Sequence, residues 1–292
     1  MYPAVIEEYV RPASVADAAA VLAKYDSGDA ICLAGGQSVM QAIKSRMVRP
    51  RCVVDLQGIA ELKGITTAGG LRIGAMTRYV EIAGSAAIPA AYGALRDAAQ
   101  HVGDRQVRNR GTIGGSCCWN YVASCMPATV LGLGGTMHLL NARGQSREVV
   151  ADDFLLGPLE TARADDEILI AISFPDAPRT GSAYQKWGLV TDALPVVGVC
   201  MKISLDGAGR CTAARIALSG LAAGAQRARA GESVLVGSDG DASTVTRALE
   251  AVVDSVEAQS DKWADTAYRQ QLIRTLGQDV AARAFARARG ET

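Results

Sequence analysis

Histidine is nearly missing from this chain. Only His101 and His138 occur among 292 residues, so a histidine-rich metal site is excluded by supply. Aromatic side chains make up 5% of the sequence, too few for the stacking platforms of a nucleic-acid binder. An excess of one charge is lacking as well: 30 Lys and Arg face 30 Asp and Glu, which disfavours a nucleic-acid or anionic-membrane surface. No apolar run approaches the roughly 20 residues of a membrane-spanning helix. The start, Met1-Tyr2-Pro3-Ala4-Val5-Ile6-Glu7-Glu8, has neither the basic nor the apolar segment of an export signal. The seven cysteines are odd in number and scattered, so the expectation is a reduced, cytoplasmic protein without disulfide staples.

What the chain does have is glycine, in two telling places. Leu33-Ala34-Gly35-Gly36-Gln37-Ser38 and Gly111-Thr112-Ile113-Gly114-Gly115-Ser116 both combine glycines with small hydroxyl residues. Such loops let backbone N–H groups approach a phosphate with no Cβ in the way. Neither carries the lysine that accompanies nucleotide hydrolysis. A pair of them therefore points to a diphosphate cofactor held from two sides and retained. A nicotinamide dinucleotide fits poorly. Asp55 stands where a ribose-binding acid would follow, but Gly35 and Gly36 are adjacent and Val39 occupies the place of a later glycine.

Hydrophobic periodicity divides the chain. Ser14 is a good N-cap for a helix over Val15–Lys24, followed by a strand over Ala30–Leu33, the first glycine turn, a helix over Val39–Lys44 and a strand over Cys52–Leu56. This is a small α/β unit. Strands are expected over 71–74, 137–140, 148–150 and 168–174, with helices over 79–84, 91–100 and 123–134. Pro175-Asp176-Ala177-Pro178 reads as a linker. Beyond it come antiparallel strands over 183–187, 196–204 and 213–219, then helices, with Ala267, Leu272, Leu276, Val280 and Ala281 forming an apolar stripe in 266–286. Cys117, Cys118 and Cys125 match neither ferredoxin spacing and are expected to be small buried hydrophobes. No Ser/His/Asp or paired-carboxylate constellation stands out, so no catalytic residue is assigned.

The string Val102-Gly103-Asp104-Arg105-Gln106-Val107-Arg108-Asn109-Arg110-Gly111-Thr112-Ile113-Gly114-Gly115, with Ala34-Gly35-Gly36-Gln37-Ser38, resembles the FAD-binding medium subunit of molybdenum hydroxylases. This is the family of the carbon monoxide dehydrogenase flavoprotein and of the xanthine dehydrogenase FAD domain. Val54-Asp55-Leu56, Ile73-Gly74-Ala75-Met76-Thr77, Tyr184-Gln185-Lys186 and Asp192 followed by Val196-Val197-Gly198-Val199 extend the likeness over nearly the whole chain.

The resemblance implies an α+β fold: a two-subdomain FAD-binding domain over 1–176 (about 1–57 and 58–176), then a smaller α+β domain of antiparallel sheet and helices over 177–292. It implies FAD held by Leu33, Ala34, Gly35, Gly36, Gln37, Ser38, Val39 and Met40 around the pyrophosphate. Gly111, Thr112, Ile113, Gly114, Gly115 and Ser116 would form a second wall, and Cys125 would contact a cofactor hydroxyl. Val102 would line the pocket, with Ile170 and Lys186 approaching the flavin. Ser116 and Cys125 depart from the family's usual Asn and Asp. The implied role is electron transfer within a complex whose molybdopterin-binding large subunit and 2Fe-2S small subunit complete a heterotrimer, itself doubled, acting on an aromatic N-heterocycle or related small molecule. A self-sufficient flavin oxidase or reductase and a flavin-less structural subunit remain open alternatives.

Overall fold

The computed structural model describes residues 5–221 and 224–291. Strands β1 (Glu8–Val10), β2 (Ala30–Leu33) and β3 (Cys52–Asp55) form a parallel sheet in the order β1-β3-β2. Parallel strands need crossovers, here supplied by helices α1 (Val15–Leu22) and α2 (Val39–Lys44). The Ser14 hydroxyl accepts from the Asp17 N–H at 3.1 Å and so caps α1. The helix buries Val15, Ala18, Ala19 and Leu22 against β3.

A second sheet follows: β4 (Ile65–Thr66), β5 (Leu71–Gly74), β6 (Thr136–Leu140), β7 (Ser146–Val150) and β10 (Ile168–Phe174), in the antiparallel order β4-β5-β10-β6-β7. Between β7 and β10 lie α8 (Ala151–Phe154) and a hairpin of β8 (Leu155–Gly157) and β9 (Glu160–Thr161). The helices α3 (Tyr79–Gly84), α4 (Gly93–Gln100), α5 (Arg105–Arg110), α6 (Ile113–Trp119) and α7 (Cys125–Leu133) belong to this lobe. Every residue of α7 is buried. Apolar on all sides, it serves as the central pillar of the largest core.

The third sheet is an antiparallel meander of β11 (Thr180–Trp187), β12 (Val197–Leu205), β13 (Cys211–Ser219) and β14 (Gln226–Arg227). One face carries α9 (Arg229–Leu235), α10 (Ala242–Ser255) and α11 (Thr266–Arg289) over a separate core. The other face meets α4 and α7, so Tyr184, Cys200 and Ala217 belong to the core of the second lobe. The α+β architecture expected from the sequence is the one observed.

Ionic clasps cross between the second and third lobes. Asp97 on α4 accepts from Arg287 of α11 at 2.7 and 3.0 Å and from the Tyr184 N–H at 3.1 Å. Asp152 on α8 accepts from Arg215, Arg227 and Arg229 at 2.5, 2.8 and 3.1 Å. Burial pushes its carboxyl up, but Arg227 and Arg215, by hydrogen bonds and charge, hold it below the ordinary carboxylate range.

Candidate cofactor-binding cavity

Strand β2 delivers the chain into Ala34-Gly35-Gly36-Gln37-Ser38, which turns into α2. Gly36 makes that turn with φ +76°, where a side chain is strained. Gly35 is needed for a different reason. A Cβ there would overlap the carbonyl of Arg110 and lie 2.9 Å from the Gly111 Cα, so the two glycine stretches touch backbone to backbone. With its back so packed, the loop leaves the N–H groups of Gly35, Gly36, Gln37 and Ser38 without an acceptor among the described residues. Consecutive unpaired amides of this kind form an anion cradle.

The second stretch behaves otherwise. The sequence reads it as a matching phosphate loop, but it folds into the start of α6. Thr112 is the N-cap, its hydroxyl accepting from the Gly115 N–H at 3.2 Å. The Ile113 and Gly114 amides donate to Thr77 and Ala75 at 3.2 and 2.9 Å, and that of Ser116 to Thr112 at 3.2 Å. These donors are already committed to protein. The glycines instead permit close approach: a Cβ on Gly114 would lie 2.5 Å from that of Ala75, and one on Gly111 2.6 Å from the Tyr79 ring. The stretch is a thin wall rather than a second cradle.

Between loop and wall lies a cavity of about 620 Å³. Of the expected residues, Ala34, Gly35, Gly36, Gln37, Ser38, Val39, Val102, Gly111, Thr112, Gly114, Gly115, Ser116, Cys125 and Lys186 line it. Four do not. Leu33 and Met40 pack sideways with Val39 and Ile43. Ile113 is fully buried in the main core, and Ile170 packs on the far side of β10 against the cluster of α1 and β3. Leu169 and Ile168, at the start of β10, line the cavity instead, and the register of β10 against β6 shifts between Leu169 and Ala171, at Ile170.

Sequence reasoning missed Tyr79, Cys32, Cys118, Arg163 and Glu167, as well as the loop Ala193-Leu194-Pro195 beside Asp192. Tyr79 had a signal, since it opens the helix after the Gly74–Thr77 string. Arg163 and Glu167 carried none, because their placement depends on the β8–β9 hairpin. That hairpin is fixed by Asn120, whose Nδ2 donates to the Gly157 and Glu160 carbonyls at 2.7 and 3.0 Å.

The electrostatics of the cavity are quiet. Burial pushes the Cys32 thiol up to about 11 and Cys118 up to about 12. Cys125 is also raised by burial, with the Tyr184 hydroxyl and the Lys186 charge pulling the other way. These thiols stay protonated near neutral pH and behave as small apolar groups. Lys186 is lowered by burial, opposed by Cys125 and Asp192, and donates to the Ala193 carbonyl at 2.5 Å.

Residues 5–177 match the FAD binding domain in molybdopterin dehydrogenase, and residues 182–284 match the CO dehydrogenase flavoprotein C-terminal domain. The chain is 33% identical to the carbon monoxide dehydrogenase medium chain of Hydrogenophaga pseudoflava, over 96% of this chain and 97% of that one. It is 31% identical to the nicotine 6-hydroxylase medium subunit of Paenarthrobacter nicotinovorans, over 92% and 93%. In the solved structure of carbon monoxide dehydrogenase from Hydrogenophaga pseudoflava, one chain shares the fold with a TM-score of 0.91 at 32% identity, covering 98% of this chain and 99% of that one. Likeness over both matched domains, joined to a cavity with a bare-amide loop, places this chain in the family of FAD-binding medium subunits of molybdenum hydroxylases.

Proposed function

We propose that the chain is the electron-transfer flavoprotein of a heteromeric molybdenum hydroxylase. The observation that carries the reading is the run of unpaired amides at residues 35–38 on the wall of a cavity of about 620 Å³, within the roughly 300–1,000 Å³ usual for cofactor and ligand sites. The residues present fit FAD. Gly35 to Ser38 would hold the diphosphate, and the thin wall of Gly111–Ser116 would admit the ribityl chain. Val102, Tyr79, Cys125 and Lys186 would border the flavin. FAD, when bound, supplies the redox centre, while the protein positions it.

In this reading, residues 1–176 are the FAD-binding domain, with subdomains at about 1–57 and 58–176, and residues 177–292 are the C-terminal domain. Electrons arrive from 2Fe-2S clusters of a small subunit, after a molybdopterin-binding large subunit has oxidised the substrate, and leave to an external acceptor. The assembly is a dimer of such heterotrimers. An aromatic N-heterocycle is the favoured substrate class, since nicotine is named in one of the relatives. Among the described residues no helix is long and apolar enough to cross a membrane. With seven free thiols, the cytoplasm is the proposed compartment.

Affinity purification from the native host tests this. One FAD per chain, a yellow spectrum, and two co-purifying subunits bearing iron–sulfur and molybdenum are the expected result. A colourless chain that takes up no added FAD overturns the proposal. Full turnover by the isolated polypeptide would favour the self-sufficient oxidase instead.

A further inference from the structure

We propose that Arg163 holds the AMP half of FAD and makes this cavity select the dinucleotide over FMN, an inference that rests on the cofactor reading above. Arg163 lies on the cavity wall with Cys32, Cys118, Ile168 and Leu169. Its guanidinium is anchored from behind, Nη1 donating to the carbonyls of Ala164, Asp165 and Glu167 at 2.7, 3.3 and 2.8 Å. Those bonds use one nitrogen. Nε and Nη2 have no acceptor among the described residues.

Nor, among the described residues, does a carboxylate neutralise it at ion-pair distance. Glu167, the acid on the same wall, is held by Arg147 at 2.6 and 2.8 Å and accepts from the Ala164 N–H at 2.7 Å. The other cation of the cavity, Lys186, sits elsewhere, beside Cys125 and Asp192. The Arg163 charge is felt at the Glu167 carboxylate, and also at the thiols of Cys32 and Cys118, between the end of β2 and the last turn of α6. A fixed planar cation with two unused donors, facing a cavity, is built for a ligand.

The bare amides of 35–38 fix the diphosphate and so divide the cavity. Lys186, Cys125 and Asp192 feel one another's charge and form one group of lining residues, apart from the group of Arg163, Cys32 and Cys118; in the segment 189–194 next to the first group, Leu189, Val190 and Leu194 are exposed. A flavin ring must exchange electrons with other molecules, and this open apolar rim gives that access. The AMP half takes no part in the redox chemistry and goes to the other side, where Arg163 is. A guanidinium suits it twice over, stacking on the adenine face and donating to ribose or phosphate oxygens.

The test titrates the full chain, freed of flavin, with FAD, FMN and AMP, for the wild type, Arg163→Leu and Arg163→Lys. The leucine variant is expected to lose about tenfold in affinity for FAD and for AMP while FMN binding is unchanged. Lysine keeps the charge but not the plane and falls between. An unchanged FAD affinity, or an equal loss for FAD and FMN, overturns the proposal. Should the leucine variant not fold, the lysine variant is scored on the same ratio, and AMP that does not compete with FAD on the wild type also overturns it. Wild-type protein that binds no FAD at all would instead sink the cofactor reading on which the inference stands.

Discussion

Gly35 and Gly36 are adjacent, yet one is glycine because of its neighbours and the other because of its own backbone, and substitution separates the two causes. At Gly36 the added Cβ would find the Met40 Cγ at 3.2 Å and the Leu33 Cδ1 at 3.3 Å, both of which can give, so the cost is that of φ +76°, about 1–2 kcal/mol. At Gly35 the obstacle is the Arg110 carbonyl, which is backbone and cannot move without parting the two glycine stretches. Gly35→Ala is therefore expected to cost about 3 kcal/mol or more and to abolish FAD retention, while Gly36→Ala retains FAD. Urea denaturation and flavin content check this; equal, mild effects of the two would refute it. The sequence showed that glycine mattered here but not why. That Gly111 and Gly114 make room for Tyr79 and Ala75, and that neighbouring amides are tied to residues 75 and 77, depends on pairings no local pattern encodes.

At the scale of elements, periodicity was a good guide wherever burial was one-sided. α2, α3, β2, β5 and β10 occupy the expected residues, and the other elements that were expected differ at their ends. The short elements β1, β4, α8, β8, β9 and β14 escaped, as did two helices of six and seven residues. α5 spans Arg105–Arg110 with no buried residue, so it has no apolar stripe to read. It forms because Asp104 caps it, accepting from the Val107 N–H at 2.7 Å. α6 begins Ile113-Gly114-Gly115, a composition that reads as loop because interior glycine costs about 1 kcal/mol relative to alanine. Close packing on Ala75 and the Thr112 cap offset that cost.

Equally invisible was the clasp between α4 and α11. Asp97 is nearly buried and serves two arginine nitrogens and the Tyr184 N–H. Asp97→Ala leaves the Arg287 guanidinium uncompensated at a lobe contact, at a cost of about 3–5 kcal/mol. Because Lys186 lies two residues along the same strand, FAD affinity is expected to fall with it. Denaturation midpoints and a flavin titration read both effects, and a loss below 1 kcal/mol would mean that the clasp contributes little to joining the lobes.

For the whole molecule, the order of an α/β unit, a mixed lobe and an antiparallel lobe was legible from strand spacing and the Pro175–Pro178 linker. The third sheet's second buried face was not, since Tyr184, Cys200 and Ala217 look like ordinary strand residues until α4 and α7 are set against them. This packing encloses cysteines in all three lobes, and their titration gives a property of the entire fold. All seven thiols are raised, with burial the leading cause in each case; Cys32 and Cys211 reach about 11 and Cys118 about 12. In the unfolded chain they lose protons at about 8.5. A folded pKa above the unfolded one means that the stabilisation is complete below about pH 8.5 and declines as pH rises above it, because only the unfolded state is then releasing protons.

Lys202 acts in the opposite sense. Burial and the nearby Arg215 charge lower it to about 8, so the folded state gives up its proton first and gains stability from about pH 8 to 10.4. Lys186 is lowered by burial in the same sense, and seven thiols outweigh these two ammonium groups. Urea midpoints measured under reducing conditions are expected to fall between about pH 8.5 and pH 10, and Lys202→Met, which removes one of the opposing groups, is expected to steepen the fall. A wild-type profile that is flat or rises over this range would show that the buried thiols do not govern alkaline stability.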